Sequence, residues 1–213
     1  MKKILTALAF LGMTVTTSNA FADEGDGNRN TRQSGALTQS DCRGIIENAI
    51  AGANATDSDF RPGKKAKMQI ACLDRKGEII GFYSMPDAWV ASIDIAKAKA
   101  YTAVSISSDE NAVTSRTIGL ASQPGGPLWQ IGNSNRPGTT GLENVKERGI
   151  IEFPGGIPLY KNGKLVGGIG VSGDSVTVDE TVAQCGAIGY EAPQAIRSNT
   201  VLGVPYTTTV CPF

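Results

Sequence analysis

Two places where the chain reverses direction within a few residues constrain its fold more than any other feature. Asn162-Gly163 separates the apolar run Ile157 to Tyr160 from Leu165 to Val171, and Asp74-Arg75-Lys76-Gly77 separates residues 66 to 73 from residues 78 to 84. Asn-Gly supplies two residues that tolerate positive φ, and both segments read as β-hairpins. Strands joined this tightly pair antiparallel, because a parallel pair needs a crossover of a dozen residues or more.

Helices fill the intervals. Thr38-Gln-Ser-Asp41 is a capping box, and Ile45, Ile46, Ala49, Ile50 and Ala53 follow at helical spacing, predicting a helix over 38 to 53. Asp87 is a candidate cap for the Ala-rich stretch through Tyr101, with Ala91, Ile95, Ala98 and Thr102 on one face. Ser107-Ser-Asp-Glu110 predicts a shorter helix to about Ile118, and Thr177-Val-Asp-Glu180 a last one to about Ala187. Gly149 to Phe153 reads as a short strand, and Gly119 to Gly149 as a long Gly, Pro and Asn-rich loop of the kind that carries function. Residues 190 to 213 show no period and read as a tail. The order gives one α+β domain with an antiparallel sheet.

The first 22 residues address the chain elsewhere. Lys2 and Lys3, the apolar stretch Ile4 to Val15 and Ala20-Phe21-Ala22 have the three parts of a secretory signal peptide, and polar 16 to 19 stop the apolar run short of a membrane span. Residues 23 to 36 are polar and glycine-rich and read as a flexible leader. The expected location is therefore periplasmic or secreted. An exported chain with four cysteines, Cys42, Cys72, Cys185 and Cys211, is expected to be oxidised. Three pairings are open, one disulfide is expected to tether the tail through Cys211, and the alternative for Cys42 and Cys72 is that both are small buried hydrophobes.

Composition removes several chemistries. The sequence holds no histidine, so a Ser-His-Asp triad, a Cys-His pair and an imidazole iron ligand are all excluded. Twenty basic residues balance twenty acidic ones, which leaves no footprint for nucleic acid. Gly168-Ile-Gly-Val-Ser-Gly173 spells a dinucleotide fingerprint, but it lies within the second strand of the Asn-Gly hairpin and not in a βαβ turn. Its glycines are expected to let another backbone approach closely. Asp174, Asp179 and Glu180 are candidate acid/base carboxylates, or dipole partners of a helix's first turn.

The expected ligand site lies in two Gly-Pro segments. Pro124 restricts φ in the first, and Gly125 and Gly126 there, with Gly155 and Gly156 in the second, offer backbone N–H groups to an anion. Trp129, Phe153 and Tyr160 offer an apolar wall to a flat ligand, and Asn133, Asn135 and Arg136 offer donors. The same composition also suits a rigid loop packed on the sheet or on another subunit.

Asp87-Ala-Trp, Ser122-Gln-Pro-Gly-Gly-Pro-Leu-Trp129, Gly132-Asn-Ser-Asn135, Phe153-Pro-Gly-Gly-Ile-Pro-Leu159 and Gly168-Ile-Gly-Val-Ser-Gly173 together resemble the GlcG/HbpS-like haem-binding family, collinearly over residues 37 to 189. The resemblance implies a profilin-like or PAS-like layered domain, an antiparallel sheet of about five strands flanked by helices. It also implies a homo-oligomer and, for some members, haem or a related tetrapyrrole. Without histidine, an iron ligand here would be Tyr, Met, Cys or a neutral oxygen, with Tyr160, Tyr101 and Met85 nearest the family blocks; the other reading of these three is as core or interface side chains. Three functions follow: an exported small-ligand binder of the haem type, a non-catalytic assembly or accessory protein with Gly-Pro subunit contacts, and an enzyme on a small hydroxy acid or tetrapyrrole with one of the three carboxylates as base.

Overall fold

A computed structural model describes residues 35–129 and 150–213. The expected signal peptide, the leader up to Ser34, and Asn133, Asn135 and Arg136 lie outside the described residues. The elements run α1 (Gln39–Ala55), β1 (Gln69–Asp74), β2 (Ile79–Ser84), α2 (Ser92–Ile106), α3 (Ser115–Ala121), β3 (Gly156–Lys161), β4 (Lys164–Ser172), α4 (Val176–Gly186), a 3-10 turn (Gln194–Ile196) and α5 (Ser198–Val201).

Both hairpins form, and they join through their inner strands. The sheet order is β2-β1-β4-β3, antiparallel throughout, with β1 lying along β4 from Gln69 opposite Ser172 to Asp74 opposite Gly167. Asn162 (φ 50) and Gly163 (φ 76) make the turn between β3 and β4. The sheet has four strands among the described residues, not five, because Ile150 to Phe153 form none. Their backbone is engaged by helices instead: Ile151 N donates to Thr102 Oγ1 at 2.8 Å, and Glu152 O lies against the bare Cα of Gly119.

The two sheet faces are covered differently. On one, Ile45 and Ala49 of α1 and Val182 and Ala183 of α4 pack with Ile70, Leu159, Ile169 and Val171 in the largest core cluster. On the other, Ala96 and Ala100 of α2 meet Ala71 and Leu73. Here α2 lies nearly on the sheet backbone, since a Cβ at Gly170 would strike Ala96 O and Ala100 N, and one at Gly168 would stand 2.7 Å from Ala100 O. Small residues on both elements permit that approach, so the Gly-x-Gly pattern is a helix seat.

Three helix starts differ from expectation. Asp87 does not cap α2; it takes a left-handed φ of 64°, and its carbonyl accepts Arg61 Nη2 at 2.9 Å. Ser107 does not open a helix, because its hydroxyl bridges Val113 N and O at 3.0 Å each and ties the loop after α2; α3 is capped by Thr114 instead. Ser175, not Thr177, caps α4. The capping box on α1 forms as expected, with Asp41 N donating to Thr38 Oγ1 and Thr38 N to Asp41 Oδ2.

Disulfides join Cys42 to Cys72, pinning α1 to β1, and Cys185 to Cys211, pinning the C-terminal segment to α4. That segment lacks a period, yet it is bonded along its length. Tyr160 N donates to Tyr190 O, Ala112 N to Ile196 O, Thr117 Oγ1 to Pro205 O, and Thr208 N to Glu180 Oε2, all at 2.7 to 3.0 Å. Among the described residues no helix is long and apolar enough to cross a membrane.

Candidate functional site

The Phe153 to Pro158 segment enters β3 over a buried ion pair. Lys99 of α2, 1% exposed, donates from Nζ to Asp179 Oδ2 at 2.6 Å and to Val171 O at 3.0 Å; Asp179 of α4 is 2% exposed. Asp179 Oδ1 accepts Asp174 N, and Asp174 in turn accepts Ser58 Oγ and Asp59 N. Burial raises the Asp179 carboxyl to about 6 despite the lysine beside it, and burial likewise lowers Lys99. The pair thus spans the sheet edge from α2 to α4, and Gly155 closes it. Gly155 has φ 115°, and a Cβ there would come 3.1 Å from Lys99 Nζ and 3.1 Å from Asp179 Cβ.

Gly156 makes a comparable intrachain fit. Its N–H donates to Ser115 Oγ at 2.8 Å, and a Cβ would collide with Lys99 O. Both glycines are buried, and the Gly156 N–H is taken up by Ser115 within the chain. In the first Gly-Pro segment, Gly126 N donates to Gln123 O, and Leu128 N returns to Ala121 O, so a turn stacks on the end of α3; Pro124 and Gly125 are exposed on it.

Of the expected apolar wall, two members face solvent and one does not. Trp129 and Phe153 are 52% and 60% exposed, and both chain segments rest on α3, one through Ala121 O and the other through Gly119. Tyr160 is 2% exposed, in a separate cluster with Val104, Leu165 and Tyr206, where its hydroxyl donates to Ser108 O at 2.7 Å. Burial raises its phenol well above the ordinary value.

Two of the three candidate iron ligands are enclosed: Tyr160 is held by backbone carbonyls, and Met85 is 5% exposed with its Sδ accepting Met68 N at 3.4 Å. Tyr101 packs half-buried against the α2 face of the sheet. The candidate bases are likewise engaged: Asp174 and Asp179 as above, and Glu180 with Arg116 Nε at 2.6 Å and with Thr208.

Sequence reasoning missed Lys99. Its signal is the small stripe Ala96, Ala100, Ala103 at i, i+4, i+7, which marks the face of α2 that enters the core and carries Lys99 with it, whereas Ala91 is exposed and Ile95 half-buried.

The model of a family described as "Haem degrading protein HbpS-like" matches residues 37–188. The chain belongs to the HbpS-like family. An uncharacterized 15.0 kDa protein of the dhaT-dhaS intergenic region of Citrobacter freundii is 34% identical to this HbpS-like chain over 112 residues, 53% of this chain and 68% of that protein. The corrinoid adenosyltransferase PduO of the same organism is 34% identical over 115 residues, 54% of this chain and 30% of PduO. Among solved structures, Klebsiella pneumoniae ORFY superposes with TM-score 0.58 at 25% identity, covering 76% of this chain and 94% of that one. PduOC in complex with haem gives TM-score 0.56 at 24% identity, with coverage of 81% and 99%. HbpS gives 0.55 at 23%, with 78% and 97%, and these last two show the fold.

Proposed function

We propose that this HbpS-like protein is an exported, oligomeric binder of haem or a related tetrapyrrole that holds the ring by its face, without a protein side chain on the iron. Membership of the family over residues 37–188 carries the reading. Its ligand chemistry follows from this chain's own residues: no histidine is encoded, and Tyr160 and Met85 are enclosed in the core. Trp129 and Phe153 supply exposed aromatic surface on segments anchored to α3, and Pro124 to Gly126 and the Asn133 to Asn135 stretch belong to the same expected site.

Export is supported by the amino-terminal pattern and by two disulfides, which persist in oxidising compartments. Assembly is supported by edge strand β2, where Ile79, Phe82 and Tyr83 are 50%, 37% and 41% exposed beside a groove of about 420 Å³ against α1. Titrating the purified protein with haemin and with metal-free protoporphyrin tests the reading. Saturable binding of both with similar affinity is expected. Absence of a saturable Soret shift sinks tetrapyrrole binding, and a strong preference for haemin sinks ring-face binding. Native mass spectrometry of the same sample reads subunit number.

A further inference from the structure

The sheet has one covered edge and one open edge. At the β3 edge, Tyr160 N donates to Tyr190 O at 2.8 Å, so the C-terminal segment closes it. At the other edge, β2 has β1 on one side only. Met85 N donates to Met68 O at 3.0 Å, and because antiparallel pairs alternate along a ladder, Tyr83 and Gly81 also turn their backbone groups to β1. The N–H and C=O groups of Phe82 and Ser84 therefore point away from the sheet, and none of them has a backbone partner there among the described residues.

Natural edge strands are usually guarded by proline or by charge. Ile79 to Ser84 contains neither, and Ile79, Phe82 and Tyr83 are exposed. The complement of such an edge is an extended segment of another chain that offers backbone groups along one side. Two observations identify that segment as β2 of a second copy. The first is register: a two-fold axis through Tyr83, perpendicular to the sheet, sets Phe82 opposite Ser84 of the partner subunit and Ser84 opposite the partner's Phe82, which satisfies every outward N–H and C=O of these residues at once. A centre at Phe82 would need Ile80 opposite Ser84, and the bulge at Ile80, which has no partner on β1, interrupts the edge there. The second is charge. Arg43 and Glu47 stand exposed one turn apart on α1, over Ile46 and Ile50, in the groove of about 420 Å³ that α1 forms with Tyr83 and its neighbours. Neither makes an ion pair among the described residues. The same axis lays the two α1 helices antiparallel on one face of the joined sheet, so that Arg43 meets Glu47 of the partner subunit and the reverse.

We propose that β2 is a homodimer interface centred on Tyr83, which joins two four-stranded sheets edge to edge and pairs Arg43 with Glu47 across the two copies of α1. It rests on the assembly part of the proposed function and gives that assembly a place and a register.

Native mass spectrometry and sedimentation of wild type, S84P, R43E and R43E/E47R test it. The Ser84 N–H takes no part in the ladder with β1, so S84P should keep the far-UV spectrum of the wild type and fall to a lower mass. R43E, an exposed change that the fold tolerates, should weaken association about tenfold or more, and R43E/E47R should restore it. Tyr83 faces its own copy as a non-hydrogen-bonded pair, so under mild oxidation Y83C should give a covalent dimer on a non-reducing gel and I79C should not. A wild type that is monomeric at about 50 μM sinks both this interface and the assembly reading. A wild-type oligomer whose mass is unchanged by S84P and R43E, or that cross-links through I79C and not Y83C, overturns this interface alone. The haemin titration is independent of these results, because the interface shares none of the residues of the tetrapyrrole site.

Discussion

Removing Lys99 should reveal what the buried ion pair does, with a pH signature that separates charge from packing. Asp179 is 2% exposed and its nearest charged partner is Lys99 Nζ at 2.6 Å, so K99M leaves a carboxylate in the core with only the backbone amides of Asp174 and Gly173 to satisfy it. Breaking a buried pair in this way costs about 3–5 kcal/mol. For a domain of this size that is a fall in Tm of about 6–20 °C.

The pH dependence has a definite sign. The folded-state pKa of Asp179 is raised from 3.8 to about 6, so its contribution to stability is present below about 4 and is lost as pH rises through 6. Taking away the lysine raises that pKa further and extends the loss to higher pH. K99M should therefore lie close to wild type near pH 5 and far below it at pH 8. D179N should show the reverse: it strands the Lys99 ammonium, whose pKa burial lowers, and so recovers as pH rises. Urea unfolding of wild type, K99M and D179N at pH 5, 6, 7 and 8, with m held constant, reads both slopes. A K99M deficit below about 1 kcal/mol at pH 8, or one independent of pH, would refute the reasoning.

Three further outcomes follow. G155A should cost about 2 kcal/mol or more by chemical denaturation, because an alanine at φ 115° is strained and its methyl meets Asp179 and Val171 O. Y160F should lose about 1 kcal/mol of stability with the bond to Ser108 O but leave the haemin Soret band of the wild type; a changed band would restore Tyr160 as an iron ligand. C185S/C211S should lower stability by about 3 kcal/mol, from a cross-link spanning 26 residues, and limited proteolysis should then cut first after Gly189.

The legible parts of this protein were local ones. The two hairpins and the capping box at Thr38 appear in the sequence because each is decided by residues within four positions of one another. The misplaced starts of α2, α3 and α4 were decided at longer range or by competing hydroxyls. Asp87 is turned by Arg61, 26 residues away, and Ser107 bonds Val113 in place of the helix it resembles a cap for. The expected strand at Gly149 to Phe153 is not formed by Ile150 to Phe153 for the same kind of reason, since the Ile151 amide has its partner on α2 and the Glu152 carbonyl lies against α3. In the candidate site, the glycine blocks were visible but their partners were not. Gly155 and Gly156 fit Lys99 and Asp179, which are 56 and 24 residues from Gly155 in sequence and meet only across the folded sheet.

The sequence by itself determined the antiparallel hairpins, the absence of imidazole chemistry, the cysteine set and the family. All of these are carried by residue identity or by spacings too short for the fold to change. Tertiary structure alone decided which cysteines pair, that Tyr160 is enclosed and Trp129 exposed, that Lys99 enters the core, and that an aperiodic C-terminal segment is pinned to α4. Burial and pairing depend on what other segments bring to the same place, and the energy of an isolated residue contains no information about that.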